Sequence, residues 1–96
     1  MSSQHEIKIR NLDFSGCNYL GELYEVIKKE LELPEWFGAN LDALWDAVTG
    51  MMYTPAKIQI CRNAGRNNLL PEVDKIIALL QEAEETYHEI SVVVKK

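Results

Sequence analysis

Three short β-type segments are separated by segments of helical periodicity, and this alternation is the feature that most constrains the fold. Residues 6–10 and Ala56–Cys61 alternate polar and apolar side chains, as half-buried strands do, and residues 90–94 form a β-branched run. Strands separated by helices need crossover connections, which give a parallel sheet with right-handed crossovers. The sequence therefore predicts one α/β domain over residues 1–96, a small three-stranded parallel sheet packed with helices in the order β-α-α-β-α-β.

Apolar residues recur at helical spacing in the first and last of the three predicted helices. Asn18 is the predicted N-cap of the first helix, and Pro34 ends it. Its predicted buried positions are Leu20, Leu23, Tyr24, Ile27 and Leu31. Pro71 suits the first turn of the last helix. The predicted buried positions there are Val73, Ile76, Ile77, Leu80 and Ala83 or Glu84. The polar residues 62–68 before that helix predict a loop with a short helical turn.

Residues 33–50 begin as a loop and continue as the second predicted helix. Gly38 interrupts regular structure, and Asn40 is the predicted N-cap. The buried stripe consists of Leu41, Leu44, Trp45 and Val48. Asp42, Asp46 and Thr49 fall on a different face, whose neighbouring side chains are small: Ala43, Ala47 and Gly50. Lys and Arg are absent between residues 30 and 56, so this acidic face is either an ordinary solvated surface or a binding surface.

Two features outside that helix face leave the same two interpretations open. The last helix ends in an acidic group that either only solubilises the surface or extends the acidic face: Glu82, Glu84, Glu85 and Glu89. The aromatic side chains Trp36, Phe37 and Trp45 either pack the core and loop or take part in an interface, where aromatic residues are enriched.

Charge and composition exclude several classes of protein. The net charge of −5 argues against a nucleic-acid binder, which needs a basic surface, and it suits a basic protein partner. No run approaches the ~18 apolar residues of a membrane span, and residues 1–6 lack the apolar core of a signal peptide. We therefore expect a cytoplasmic protein. Cys17 and Cys61 are far apart and form no C-x-x-C pair, so we expect free thiols and no zinc site.

The sequence offers little catalytic chemistry. His5 and His88 are the only near-neutral bases, one in a polar terminus and one at a helix–strand turn. Asp42 and Asp46 are a candidate carboxylate pair for a metal-dependent hydrolase, but one helical pair supplies too few oxygens for calcium. Motifs for phosphate, zinc or acyl-transfer chemistry are absent from the sequence. We expect no enzyme activity, no metal site and no cofactor.

Residues 28–50 closely resemble the signature of the barstar family, small intracellular inhibitors of barnase-type extracellular ribonucleases. The matching pieces are K-K-E-L-x-L-P-x at 28–35, G-x-N-L-D-A-L-W-D at 38–46 and T-G at 49–50. The resemblance implies a barstar-like fold, a basic ribonuclease as partner, and a monomer when free. The alternative is a barstar-like interaction or regulatory module that binds a partner other than a nuclease.

The resemblance also implies roles for individual residues. Asp46 is the central carboxylate placed among the enzyme's phosphate-binding cations and its catalytic His; Asp42 pairs with a further Arg, and Glu82 contributes from the last helix. Trp36 stands where the family has an aromatic, usually Tyr, that stacks over the catalytic His. The remaining predicted contact and packing residues are Phe37, Asn40, Leu41, Trp45, Thr49 and Gly50. Met51 departs from the family pattern, because it replaces an aromatic after the helix.

Overall fold

The structure, a computed structural model, describes residues 7–50, 55–61, 69–87 and 89–95. The helices are α1 (Leu20–Glu30), α2 (Leu41–Gly50) and α3 (Leu70–Thr86); the strands are β1 (Lys8–Leu12), β2 (Ala56–Cys61) and β3 (Ile90–Lys95). β2 is the central strand and pairs in parallel with both neighbours. The predicted fold class and element order are confirmed. Met51, His5, His88 and the predicted loop at 62–68 lie outside the described residues.

The helices cover one face of the sheet. The strand order β1-β2-β3 adds each strand in the same direction, so two right-handed crossovers place their helices on the same side. Ile58 and Ile60 of β2 are fully buried beneath that layer. Lys57, Gln59 and Cys61 alternate with them on the opposite face and are only partly buried. We call this opposite side of the sheet the open face.

β1 differs from the sequence prediction in its bounds and in the face that it buries. The strand predicted at 6–10 exists, but it begins and ends two residues later, so the predicted bounds are wrong. Ile9 is 60% exposed, whereas Arg10 and Leu12 are buried. The apolar contacts come instead from Leu12 and from Phe14 just after the strand, both of which belong to the core.

α1 begins one residue later than its predicted cap implies. Tyr19 occupies the N-cap position, and its side chain makes no capping hydrogen bond. The Glu22 carboxylate in the first turn reaches back and accepts a hydrogen bond from the Asn18 N–H at 2.6 Å. The predicted cap at Asn18 is therefore wrong, because an acid in the first turn binds the backbone there instead.

α3 and β3 follow the prediction closely. Pro71 lies in the first turn of α3, and the five predicted apolar positions are all buried: Val73, Ile76, Ile77, Leu80 and Ala83. β3 continues one residue beyond the predicted run at 90–94, through Lys95. Glu84 is partly buried, and its carboxylate accepts a hydrogen bond from the Val92 N–H at 3.0 Å. This bond ties α3 to β3 at the edge of the sheet.

Both cysteines are free, as the sequence predicts. Cys17 is buried in the core, and Cys61 lies at the end of β2 on the open face. Within the described ranges, the helices are too short or too polar to cross a membrane.

Candidate interaction surface on α2 and α3

The C-terminus of α1 directs the chain into the loop that precedes α2. The Leu33 N–H donates to the Lys28 carbonyl at 2.9 Å, and the Glu32 N–H donates to the Lys29 carbonyl at 3.3 Å. These two bonds form a Schellman motif, which requires a left-handed residue just after the helix. Glu32 takes that conformation with φ 56°, although a side chain there is less favourable than glycine. The turn into the loop is thus fixed by backbone hydrogen bonds.

Arg10 of β1 holds this turn in place through side-chain hydrogen bonds. Its Nη1 donates to the Glu30 carbonyl at 3.0 Å and to Glu32 Oε2 at 2.9 Å. The Arg10 side chain is 7% exposed and that of Glu32 is 54% exposed, so the pair joins a buried cation to a surface carboxylate. The guanidinium lowers the pKa of Glu32 below its ordinary value, through the hydrogen bond first and through charge second. β1 therefore holds the end of α1 in place.

The loop places its two neighbouring aromatic side chains in opposite environments. Trp36 is 74% exposed. Phe37 packs against the core, and its ring lies 6.3 Å from the Tyr24 ring, centroid to centroid. Gly38 brings the loop close to α2, since a Cβ added at this position would lie only 3.3 Å from Asn40 Nδ2 and 3.4 Å from Ala43 Cβ. The loop thus presents Trp36 to solvent on a base that Phe37 fixes.

Asn40 starts α2 as the sequence predicts. Its Oδ1 accepts a hydrogen bond from the Ala43 N–H at 2.8 Å, the geometry of an N-cap. Asp42 and Asp46, one helical turn apart, are both exposed. Ala47, predicted to lie beside them on the surface, is fully buried, so the acidic face is narrower than predicted. The buried residues of the helix are Leu44, Ala47 and Val48, whereas Leu41 and Trp45 of the predicted stripe are only partly buried.

The last turn of α2 is held by a local hydrogen bond. The Thr49 hydroxyl donates to the Trp45 carbonyl at 2.7 Å, and Gly50 is exposed at the end of the helix. Trp45, predicted either to pack in the core or to take part in an interface, is partly buried and packs against the core. Thr49 therefore supports the end of the helix, and the last residue, Gly50, adds no side chain to the surface there.

α2 and α3 enclose a groove of about 430 Å³, which we call the α2–α3 groove. It is lined by Leu41, Asp42, Trp45, Lys75, Ala78, Leu79 and Glu82. Apolar side chains form most of the lining, while Asp42 and Glu82 supply a carboxylate from each helix. The structure thus brings four of the predicted site residues together in one groove: Leu41, Asp42, Trp45 and Glu82.

A second groove, of about 410 Å³, lies on the other side of Asp42, between α1 and α2. Its lining consists of Leu20, Tyr24, Ala39, Asn40, Leu41 and Asp42. Burial raises the pKa of the Tyr24 hydroxyl, and the nearby Glu72 charge adds to the effect. Asp42 therefore stands between two grooves.

Three carboxylates of the candidate surface differ from the ion-paired acids elsewhere in the described ranges, such as Glu25 and Glu35. Within the part of the chain that the structure describes, Asp42, Asp46 and Glu82 have no ion-pair or side-chain hydrogen-bond partner. Lys75 is the cation that lines the α2–α3 groove, and its Nζ lies 3.6 Å from Glu72 Oε2. The groove is thus an acidic surface with one cation at its side.

The sequence prediction included Glu82 of α3 but not the other residues with which α3 lines the groove, Lys75, Ala78 and Leu79. Lys75, Ala78 or Leu79, and Glu82 follow the i, i+3/i+4, i+7 spacing of one helix face. Once Glu82 is placed on the surface, this spacing identifies Lys75 as its neighbour. Across the described ranges, no cluster of three His, Cys, Asp or Glu side chains is arranged to hold a metal ion.

Comparison with known proteins identifies relatives of this architecture. The family model described as Barstar (barnase inhibitor) matches residues 7–95. A protein of Bacillus subtilis (strain 168) named "Putative ribonuclease inhibitor YrdF" is 32% identical over 81 residues, which cover 83% of this chain and 86% of that protein. The family match spans all six elements of the fold.

Proposed function

The chain belongs to the barstar family, and from this membership we propose that it inhibits a basic ribonuclease of the barnase type by covering the enzyme's active site. α2, the loop before it and the exposed edge of α3 form the inhibitory surface. The protein supplies no reacting group and no cofactor, because occlusion alone stops the enzyme.

The observation that carries this proposal is a set of exposed carboxylates on two neighbouring helices that have no ion-pair partner among the described residues. Asp42, Asp46 and Glu82 remain without a cation in the described structure. A ribonuclease active site binds phosphates through Arg and Lys, and a carboxylate can take the place of a phosphate and accept the same charge-assisted hydrogen bonds. The surface therefore complements a phosphate-binding cleft.

Each carboxylate has its own role in this complex. Asp46 is the central group, inserted among the phosphate-binding cations and the catalytic His of the enzyme. Asp42 and Glu82 face the same groove from two helices and together receive a further Arg, whose aliphatic part packs on Leu41 and Trp45. The groove thereby holds both the charge and the stem of that side chain.

The loop supplies the aromatic part of the contact. Trp36 is 74% exposed, which leaves its ring free to stack over the enzyme's catalytic His. Phe37 supports it from the core side. The other residues of the surface give backbone and packing contacts: Asn40, Leu41, Thr49 and Gly50.

The biological setting follows from this role. The inhibitor acts in the cytoplasm, as an immunity protein or antitoxin, on a ribonuclease that works outside the cell. It is a monomer when free and binds no nucleic acid. Its net charge of −5 steers it toward a basic enzyme, so the association rate falls as salt rises.

Inhibition of purified barnase tests the proposal, with Asp46→Ala as the variant and Glu25→Ala as the control. Glu25 is an exposed acid on α1 outside both grooves, so its replacement changes the net charge equally. We expect stoichiometric inhibition by the wild type and by Glu25→Ala, and weak inhibition by Asp46→Ala.

Two other outcomes would contradict parts of the proposal. Equal inhibition by all three proteins places the inhibitory surface away from α2. No inhibition by the wild type, of barnase or of other barnase-type ribonucleases, contradicts the proposed function and leaves the interaction module with a partner other than a nuclease.

A further inference from the structure

We propose that Lys75 determines which ribonucleases this protein accepts, because it disfavours a second cation beside the one held between Asp42 and Glu82. This inference rests on the proposed function, since it concerns the same groove. Lys75 is a repulsive element on a surface whose other charged groups are carboxylates. Specific interfaces commonly combine attraction for the right partner with repulsion of the wrong one.

The position of Lys75 follows from helix geometry. It lies seven residues before Glu82, so the two side chains share a face of α3 about 10 Å apart along the axis. Both line the α2–α3 groove, opposite Leu41, Asp42 and Trp45 of α2. The groove thus has an acidic end at Glu82 and a basic side chain two turns away.

The ion pair of Lys75 does not remove its charge from the groove. Its Nζ is 3.6 Å from Glu72 Oε2, and the two side chains are 59% and 36% exposed. Such exposed, long ion pairs are weak and readily exchanged for water. The flexible stem of lysine lets the ammonium group move within reach of a bound partner.

The charge pattern defines the complementary enzyme surface. A single Arg that enters between Asp42 and Glu82 is attracted by two carboxylates and repelled weakly by Lys75. A second cation close to Lys75 meets the ammonium charge at short range and must compete with it for Glu72, whose Oε2 lies 3.6 Å from Lys75 Nζ. The matching ribonuclease carries a neutral or acidic side chain at that point.

Two small probes test this without any ribonuclease: N-acetylarginine amide and the dipeptide N-acetyl-Arg-Arg amide. Their binding is followed by NMR shifts of the Asp42, Ala78 and Glu82 amides in the wild type, in Lys75→Met and in Lys29→Met. Lys29 is an exposed lysine of α1 that lines neither groove, so its replacement gives the same net charge.

We expect Lys75→Met to bind the single-arginine probe about two- to tenfold more tightly than the wild type, the range for unit charges ~10 Å apart near a surface. The gain is larger for the Arg-Arg probe. Lys29→Met stays within about twofold of the wild type, because only long-range charge changes. Equal affinities of Lys75→Met and Lys29→Met, or weaker binding by Lys75→Met, overturn the inference.

Barnase then separates this inference from the proposed function. If barnase-type ribonucleases bind neither the wild type nor Lys75→Met while the probes behave as expected, the proposed function fails and the role of Lys75 in the groove stands. If barnase binds all proteins but the probes show no effect of Lys75→Met, the inference fails and the proposed function stands.

Discussion

Replacement of Asn40 by alanine tests whether one side chain holds the start of the helix that carries Asp42 and Asp46. Asn40 Oδ1 accepts the Ala43 N–H at 2.8 Å, and the Asn40 carbonyl accepts the Leu44 N–H at 3.0 Å. The substitution removes only the first of these bonds. Asn40 is exposed, so alanine leaves no cavity in the core. The loss of stability therefore reports the N-cap hydrogen bond alone.

The expected magnitude follows from the loss of an N-cap acceptor. Asn40→Ala should lower the free energy of unfolding by about 1 kcal/mol. For a domain of this size, that corresponds to a fall in Tm of about 4–8 °C. Asn40→Asp keeps an acceptor oxygen and adds a negative charge that the helix dipole favours, so its stability should remain close to that of the wild type.

Urea and thermal unfolding followed by far-UV circular dichroism measure the difference. The three proteins are compared at neutral pH, where the aspartate is ionised. A loss for Asn40→Ala below about 0.5 kcal/mol, the usual range of surface substitutions, shows that the cap does not stabilise α2. A loss for Asn40→Asp equal to that for Asn40→Ala shows that the hydrogen-bond acceptor is not the cause.

Two further predictions concern the contacts that hold the helices to the sheet. Because Arg10 lowers the pKa of Glu32 in the folded state, the pair's contribution to stability is full above the ordinary value of 4.5 and is lost as pH falls through the lowered value. The stability difference between the wild type and Glu32→Gln should therefore shrink with acid in urea unfolding at stepped pH, and a difference constant down to pH ~2 refutes the linkage. Glu84→Ala should cost about 1 kcal/mol through the lost bond to Val92, whereas Glu84→Gln keeps an acceptor and costs less; equal losses in the same assay refute this.

The elements that sequence predicts best are those with a local physical signal. β2 occupies the predicted residues Ala56–Cys61, and Asn40 caps α2, since alternation and capping act within a few residues. The buried face of β1 was predicted wrongly because the alternating pattern is ambiguous. Ile9 looks like the buried residue, yet Arg10 is buried through bonds to Glu30 and Glu32. A partner some 20 residues away cannot be read from alternation.

The candidate surface shows the same division. The exposure of Asp42, Asp46 and Glu82 follows from helical spacing, and the structure agrees. The burial of Ala47 and the position of Lys75 depend on how α2 packs against α3. Helix periodicity predicts which face of a helix is buried, but it does not predict which element packs against that face. The groove can therefore be seen only when the positions of both helices are known.

The two-layer architecture has a practical consequence for handling the molecule. Every predicted contact residue belongs to the helical layer or its loop, whereas Cys61 lies on the open face. Cys17, the chain's other thiol, is buried in the core. Cys61 is partly buried and is the more accessible of the two thiols, so a maleimide-coated sensor chip should capture the protein through it, with α2 and α3 turned toward the solution.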